Sequence, residues 1–248
     1  MNLPLNLHVH QIFVERALNE LREDPRILGL LAGGSLLSGK MDAFSDLDLI
    51  VVYEPSSRET IMDQRLLIAG KLGQLLSAFT GEHVGDSRVI ICLYGPQPLH
   101  VDLKFVTPAE LVDRIENPLI LWERDTAIQG ILDRTQPASP FVDPQWVEDR
   151  FWVWVHYAAT KLGRGEIFEL VDMITFIRST VLGPFIHMRH GNIPRGVRKL
   201  EQEYPDEAAE LSESVPSYST ESCYNALLVS IRIYRRLRLG RPRLYAHA

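Results

Sequence analysis

The chain reads as an α+β protein: a small mixed β-sheet with flanking helices, followed by an all-helical C-terminal domain. Three observations predict this. Short apolar runs of strand character lie in the first half, at 27–31, 46–53, 89–94 and 99–106. From about Asp143 every pattern is helical, over roughly 145–163, 166–189, 196–213 and 220–238. Between them Pro137, Pro140 and Pro144 mark a linker, so domains of 1–138 and 139–248 are expected.

Each element has its own reason. Val9, Ile12, Phe13, Ala17 and Leu21 form one apolar stripe, a helix that ends before Pro25. A buried strand at 27–31 runs into the Gly33-Gly34 turn, and a second strand at 46–53 follows. Ser56 and Glu59 have capping-box spacing. Behind them Ile61, Leu66, Ala69, Leu72, Leu75, Leu76 and Phe79 continue at helical spacing to a stop at Gly81. After a strand at 89–94 and the turn Gly95-Pro96-Gln97-Pro98, residues 99–106 alternate. Leu99, Val101, Leu103 and Phe105 take one face; His100, Asp102 and Lys104 take the other. Leu119 to Trp122 adds an edge strand, and the helices are expected on one side of the sheet.

Composition narrows the function. Of 248 residues, 46% are hydrophobic and 23% charged, as in a globular chain with a real core. A formal charge of -6 argues against a general nucleic-acid binder and suits a cationic or metal-bound partner. Cys92 and Cys223 alone make neither a disulfide framework nor a zinc pattern, so a reducing, cytoplasmic setting is expected. His8, His10, Glu15, Arg16 and Glu20 are unlike a secretory leader, and no membrane-spanning run is expected.

The chemistry concentrates in Gly33-Gly34-Ser35 and, ten residues on, Ser45-Asp46-Leu47-Asp48-Leu49-Ile50. On a strand Asp46 and Asp48 share a face about 6–7 Å apart, and two carboxylates on an apolar strand repel one another. A hard divalent cation would relieve that. Asp102 lies on the polar face of a later strand; if the strands are neighbours, three carboxylates converge and suit two Mg²⁺ ions. The Gly34-Ser35 turn offers backbone N–H groups and a hydroxyl to a phosphate. Metal carboxylates beside a phosphate cradle describe phosphoryl or nucleotidyl transfer from a nucleoside triphosphate.

Over residues 26–106 this pattern resembles the polymerase-β-like nucleotidyltransferase superfamily. The resemblance implies a nucleotidyltransferase-like fold, with Asp46 and Asp48 as the two acids of a D-x-D strand, Asp102 as the third metal ligand, and Gly34 and Ser35 holding the triphosphate. More weakly, Phe151-Trp152-Val153-Trp154 through Tyr157, Lys161, Arg164 and Glu166 resembles a helix of streptomycin-type aminoglycoside adenylyltransferases. That implies Lys161 on the triphosphate and Glu166 as a contact to a cationic acceptor or as a base. The implied reaction moves AMP from ATP onto a hydroxyl of a small molecule, an aminoglycoside-like antibiotic among the candidates, and releases pyrophosphate. A protein or metabolite acceptor stays open, as does a non-catalytic, antitoxin-like nucleotide-binding module.

Plainer readings stand beside several residues. Gly34 to Lys40 has the glycine-lysine spacing of a Walker loop, but Met41 follows where a hydroxyl is needed. Lys40 is kept as a phosphate-reaching candidate. His187 and His190 sit at i and i+3 with no further ligand near in sequence, which disfavours zinc. Trp146, Trp152, Trp154 and Phe151 read as packing. Arg235, Arg236, Arg238, Arg241 and Arg243 read as cations at a helix C-terminus.

Overall fold

Helix α1 (His8–Glu23) forms where the apolar stripe repeats at helical spacing, and it buries His10, Phe13, Val14, Ala17 and Leu21. Strands β1 (Ile27–Ala32) and β2 (Leu47–Tyr53) follow, then α2 (Arg58–Lys71) and β3 (Gln74–Thr80). Strands β4 (Val89–Gly95), β5 (Leu99–Val106) and β6 (Leu119–Glu123) precede α3 (Ala127–Arg134). The computed structural model describes residues 7–37 and 39–239. The chain divides into two units, Met1–Ala138 and Ser139–Ala248.

The first unit is a six-stranded sheet in the order β3-β4-β5-β2-β1-β6. Only β2 and β5 pair in parallel; the other neighbours are antiparallel. One face carries Leu47, Leu49, Val51, Ile90, Cys92, Val101, Leu103 and Phe105, all buried with Phe13, Ala17, Ile61 and Ala69 of α1 and α2. On the other face a smaller cluster joins Leu31, Val52 and Val106 to Leu111, in the 3₁₀ turn Glu110–Val112, and to Ile128 of α3. Helices therefore lie on both faces rather than one. The second face is covered by this cluster at the end where Val52 and Val106 lie. Asp48 and Asp102, further along the same strands, are half-buried.

Three sequence expectations change here. The helical run predicted to Gly81 ends at Lys71, and Leu75, Leu76 and Phe79 belong to edge strand β3. Antiparallel pairing with β4 outweighs the helical spacing, and Gly73 permits the break because a Cβ there would stand 3.0 Å from the Tyr94 ring. The Ser56–Glu59 capping box does not form: Ser56 lies in a 3₁₀ turn, Pro55–Ser57, and α2 starts without a side-chain cap. Helix α3 went unpredicted; Ala127–Arg134 gives only two turns of pattern.

Among the described residues, the regular elements of the second unit are all helices. Asp143 caps α4 (Pro144–Arg164) by accepting from Gln145 N at 2.9 Å. Then come α5 (Ile167–Ile177), one π turn (178–182), α6 (Gly183–Arg189), α7 (Leu200–Glu203), α8 (Pro205–Ser212) and α9 (Thr220–Leu239). The helix expected over 196–213 is broken, because Lys199 is left-handed (φ 60°) and Pro205 cannot continue α7. Phe151 stacks on Tyr234 with centroids 3.6 Å apart at the centre of the core. Ile167–Arg189, 23 residues whose most apolar window has a mean hydropathy of 1.2, is long and apolar enough to cross a membrane, contrary to the expectation of no such run. More than half of its most apolar window is buried inside the unit, which accounts for its composition.

Candidate active site

Sheet register builds the site. Asp48 on β2 lies directly opposite Asp102 on parallel β5. Side-chain alternation puts both carboxylates on the face away from the main core. Asp46 falls just before β2 rather than inside it. The segment leading to it is tied to α1, where His10 Nε2 donates to Ser45 O at 2.6 Å. Asp46 still acts on Asp102: its charge, with burial as the larger cause, pushes the Asp102 carboxyl above the ordinary 3.8. His100, 3.0 Å from Asp102 Oδ1, opposes that rise.

The glycine turn lies against the same row. Gly33 N–H donates to Asp48 O at 2.8 Å. Gly34 has φ +61°, and a Cβ there would stand 1.9 Å from Asp48 Oδ2. Only glycine lets the backbone pass this close to the carboxylate. Ser35 follows, half-buried, in a 3₁₀ turn (Gly34–Leu36). Lys40 is exposed between this turn and β2, and no long helix follows as a Walker loop would need.

Gly34 N–H also donates to Glu116 Oε1 at 2.8 Å. Sequence reasoning missed Glu116, which lies 82 positions away and has no periodic signal around it. Among the described residues no three His, Cys, Asp or Glu side chains close into a metal-binding group. Asp48 and Asp102 are register partners and Asp46 is close enough for its charge to act on Asp102. Their donor set is nonetheless of the kind a hard dication takes.

The other candidates sit in the helical unit. Lys161 Nζ contacts Glu166 Oε2 at 2.6 Å and Glu169 Oε2 at 2.9 Å, over the Tyr157 ring at 4.9 Å. These carboxylates hold the ammonium well above its ordinary range, Glu166 most strongly. Glu169 is held below its ordinary range by the Tyr157 hydroxyl first and Lys161 second. Sequence reasoning named Lys161 and Glu166 but missed Tyr157 and Glu169 as their partners; the spacing across the α4–α5 bend was the signal available. Arg236 pairs with Glu210, and Arg238 with Glu148 at 2.7 Å. Arg241 and Arg243 lie outside the described residues. His190 bonds Glu207 at 2.8 Å, while His187 is buried in α6.

Residues 14–121 match the family model described as "Nucleotidyltransferase domain". The match runs from α1 through the glycine turn, β2 and β5 into β6. This stretch is a nucleotidyltransferase domain. It spans less than half of the 248-residue chain and marks the chain as an enzyme of nucleotidyl transfer. Nucleotidyltransferases of this kind generally use a nucleoside triphosphate, a divalent metal and an acceptor. No curated protein sequence matches the chain.

Two solved structures are similar along most of the chain. One is a nucleotidyltransferase-like protein from Exiguobacterium sibiricum 255-15, 13% identical, with a TM-score of 0.39 over 94% of this chain and 75% of that one. The other is an aminoglycoside 6-adenyltransferase from Bacillus subtilis, 17% identical, with a TM-score of 0.37 over 94% of this chain and 88% of that one. Both likenesses are too distant to carry an argument about chemistry.

Proposed function

We propose that the enzyme transfers a nucleoside monophosphate, AMP from ATP, onto a hydroxyl of a small molecule and releases pyrophosphate. The observation that supports this most is the in-register pair Asp48–Asp102 beside the Gly33-Gly34 turn. Two carboxylates held opposite each other on neighbouring strands carry an electrostatic cost that a bound cation would remove. Asp46, Asp48 and Asp102 would hold Mg²⁺, which when bound supplies charge neutralisation on the triphosphate and lowers the pKa of an acceptor hydroxyl.

The chain's own groups do the rest. Gly34 N–H and the Ser35 hydroxyl hold β- and γ-phosphate oxygens, so the α-phosphorus is fixed for in-line attack. Lys40 adds a cation near the turn. The resemblance of their helix carries the proposal of Lys161 for the triphosphate and of Glu166 as an acceptor contact or base. A cationic, aminoglycoside-like acceptor suits the acids Glu166 and Glu169. A cytoplasmic setting, where both thiols stay reduced, goes with this reading.

The test is transfer of label from α-labelled ATP, with Mg²⁺, onto a panel of aminoglycosides, sugars and protein acceptors, with pyrophosphate measured in parallel. Label on a small-molecule hydroxyl is expected. Label on protein alone would move the acceptor class. Nucleotide binding with no pyrophosphate release from any acceptor would leave a regulatory module instead.

A further inference from the structure

We infer that Glu116 is a fourth acid of the nucleotide site, one that holds the Gly34 amide and competes with the triphosphate for it. The inference rests on the proposed role of the glycine turn. Its own observation is the hydrogen bond from Gly34 N–H to Glu116 Oε1 at 2.8 Å. A backbone donor assigned to a phosphate oxygen is already held by an oxyanion of similar geometry.

Two carboxylates flank the Gly33-Gly34 peptide. A Cβ on Gly33 would stand 3.4 Å from Glu116 Oε1, and one on Gly34 would stand 1.9 Å from Asp48 Oδ2. Gly34 therefore has to be glycine to admit Asp48, while Glu116 lies at ordinary contact distance from the Gly33 side. A polyphosphate arriving at this turn meets a negative charge on the donor it needs, so Glu116 must leave first. When the phosphate departs, Glu116 returns and keeps a partly buried N–H paired.

The loop that carries Glu116 is anchored, which confines the exchange to its side chain. Arg114, 7% exposed, donates to Asn117 Oδ1 at 2.8 Å, Thr135 Oγ1 at 2.6 Å and Thr135 O at 2.5 Å. Arg114 O accepts from Ala138 N at 2.8 Å. With residue 114 locked to the end of α3, Glu116 swings by rotamer change and the loop stays in place.

The experiment is calorimetric binding of inorganic triphosphate to the full chain, with and without Mg²⁺, for wild type, Glu116→Gln and Glu116→Ala. Gln keeps an acceptor for Gly34 N–H and removes the charge; Ala removes both. Both variants are expected to bind triphosphate about three- to tenfold more tightly than wild type, with the gain present without Mg²⁺. Unchanged or weaker binding in either variant would overturn the inference. Gln like wild type and Ala weaker would make Glu116 a structural cap. Loss of only the Mg²⁺-dependent part would make it a metal ligand. If wild type and both variants bind no triphosphate, the proposed role of the turn falls as well, which separates the two failures.

Discussion

In the sheet unit Asp48 and Asp102 face each other because β2 and β5 are parallel neighbours throughout their pairing. In the helical unit Lys161, Glu166 and Glu169 meet because they lie within nine residues across one helix bend. The first arrangement is imposed by backbone hydrogen bonds between distant segments, and burial leaves Asp102 with a raised pKa. The second is a local set of opposite charges that already neutralise one another. Charges forced together by register mark a site that wants a further partner; charges that gather locally can be satisfied without one.

Three measurements would break or sharpen that comparison. The largest effect is expected from Asp48→Asn, which should lower kcat/KM by about a thousandfold or more while the urea midpoint holds or rises slightly, because a like-charge pair is relieved. Turnover near wild type would remove the acids from the reaction. Next, Lys161→Ala should raise the KM for ATP by about three- to tenfold with a smaller change in kcat. An unchanged KM would make the helical cluster purely structural and widen the contrast between the two units.

The smallest effect concerns acid stability. Asp86 lies 2.8 Å from Arg88 and 3.0 Å from Lys104, and these cations, Arg88 first, hold its carboxyl far below the ordinary 3.8. A depressed carboxyl stabilises the fold above its unfolded value, and that stability is lost as pH falls below about 3.8. Asp86→Asn should therefore lower the urea midpoint near neutral pH and flatten its fall between about pH 5 and pH 2. An acid limb as steep as wild type's would show that other carboxylates carry it.

Much of the sheet was legible. Alternation in β5 showed which side Asp102 takes, and the turn and D-x-D spacing pointed to the acids. The β3 edge strand was not legible, because Leu72, Leu75, Leu76 and Phe79 fit helical spacing equally well and only pairing with β4 decides between them. Helix α3 was too short to announce itself. The break at Tyr204-Pro205 was written in the chain, but apolar periodicity on both sides masked it.

By itself the sequence determined the residue types and the faces they take, since strand alternation and glycine's freedom are local properties of a few neighbouring residues. Only tertiary structure decided that β2 and β5 are adjacent and in register, that α3 covers the second face, and that Glu116 reaches back 82 positions to the Gly34 amide. Those are contacts between segments far apart along the chain. Their selection depends on how whole surfaces bury together, which no local pattern encodes.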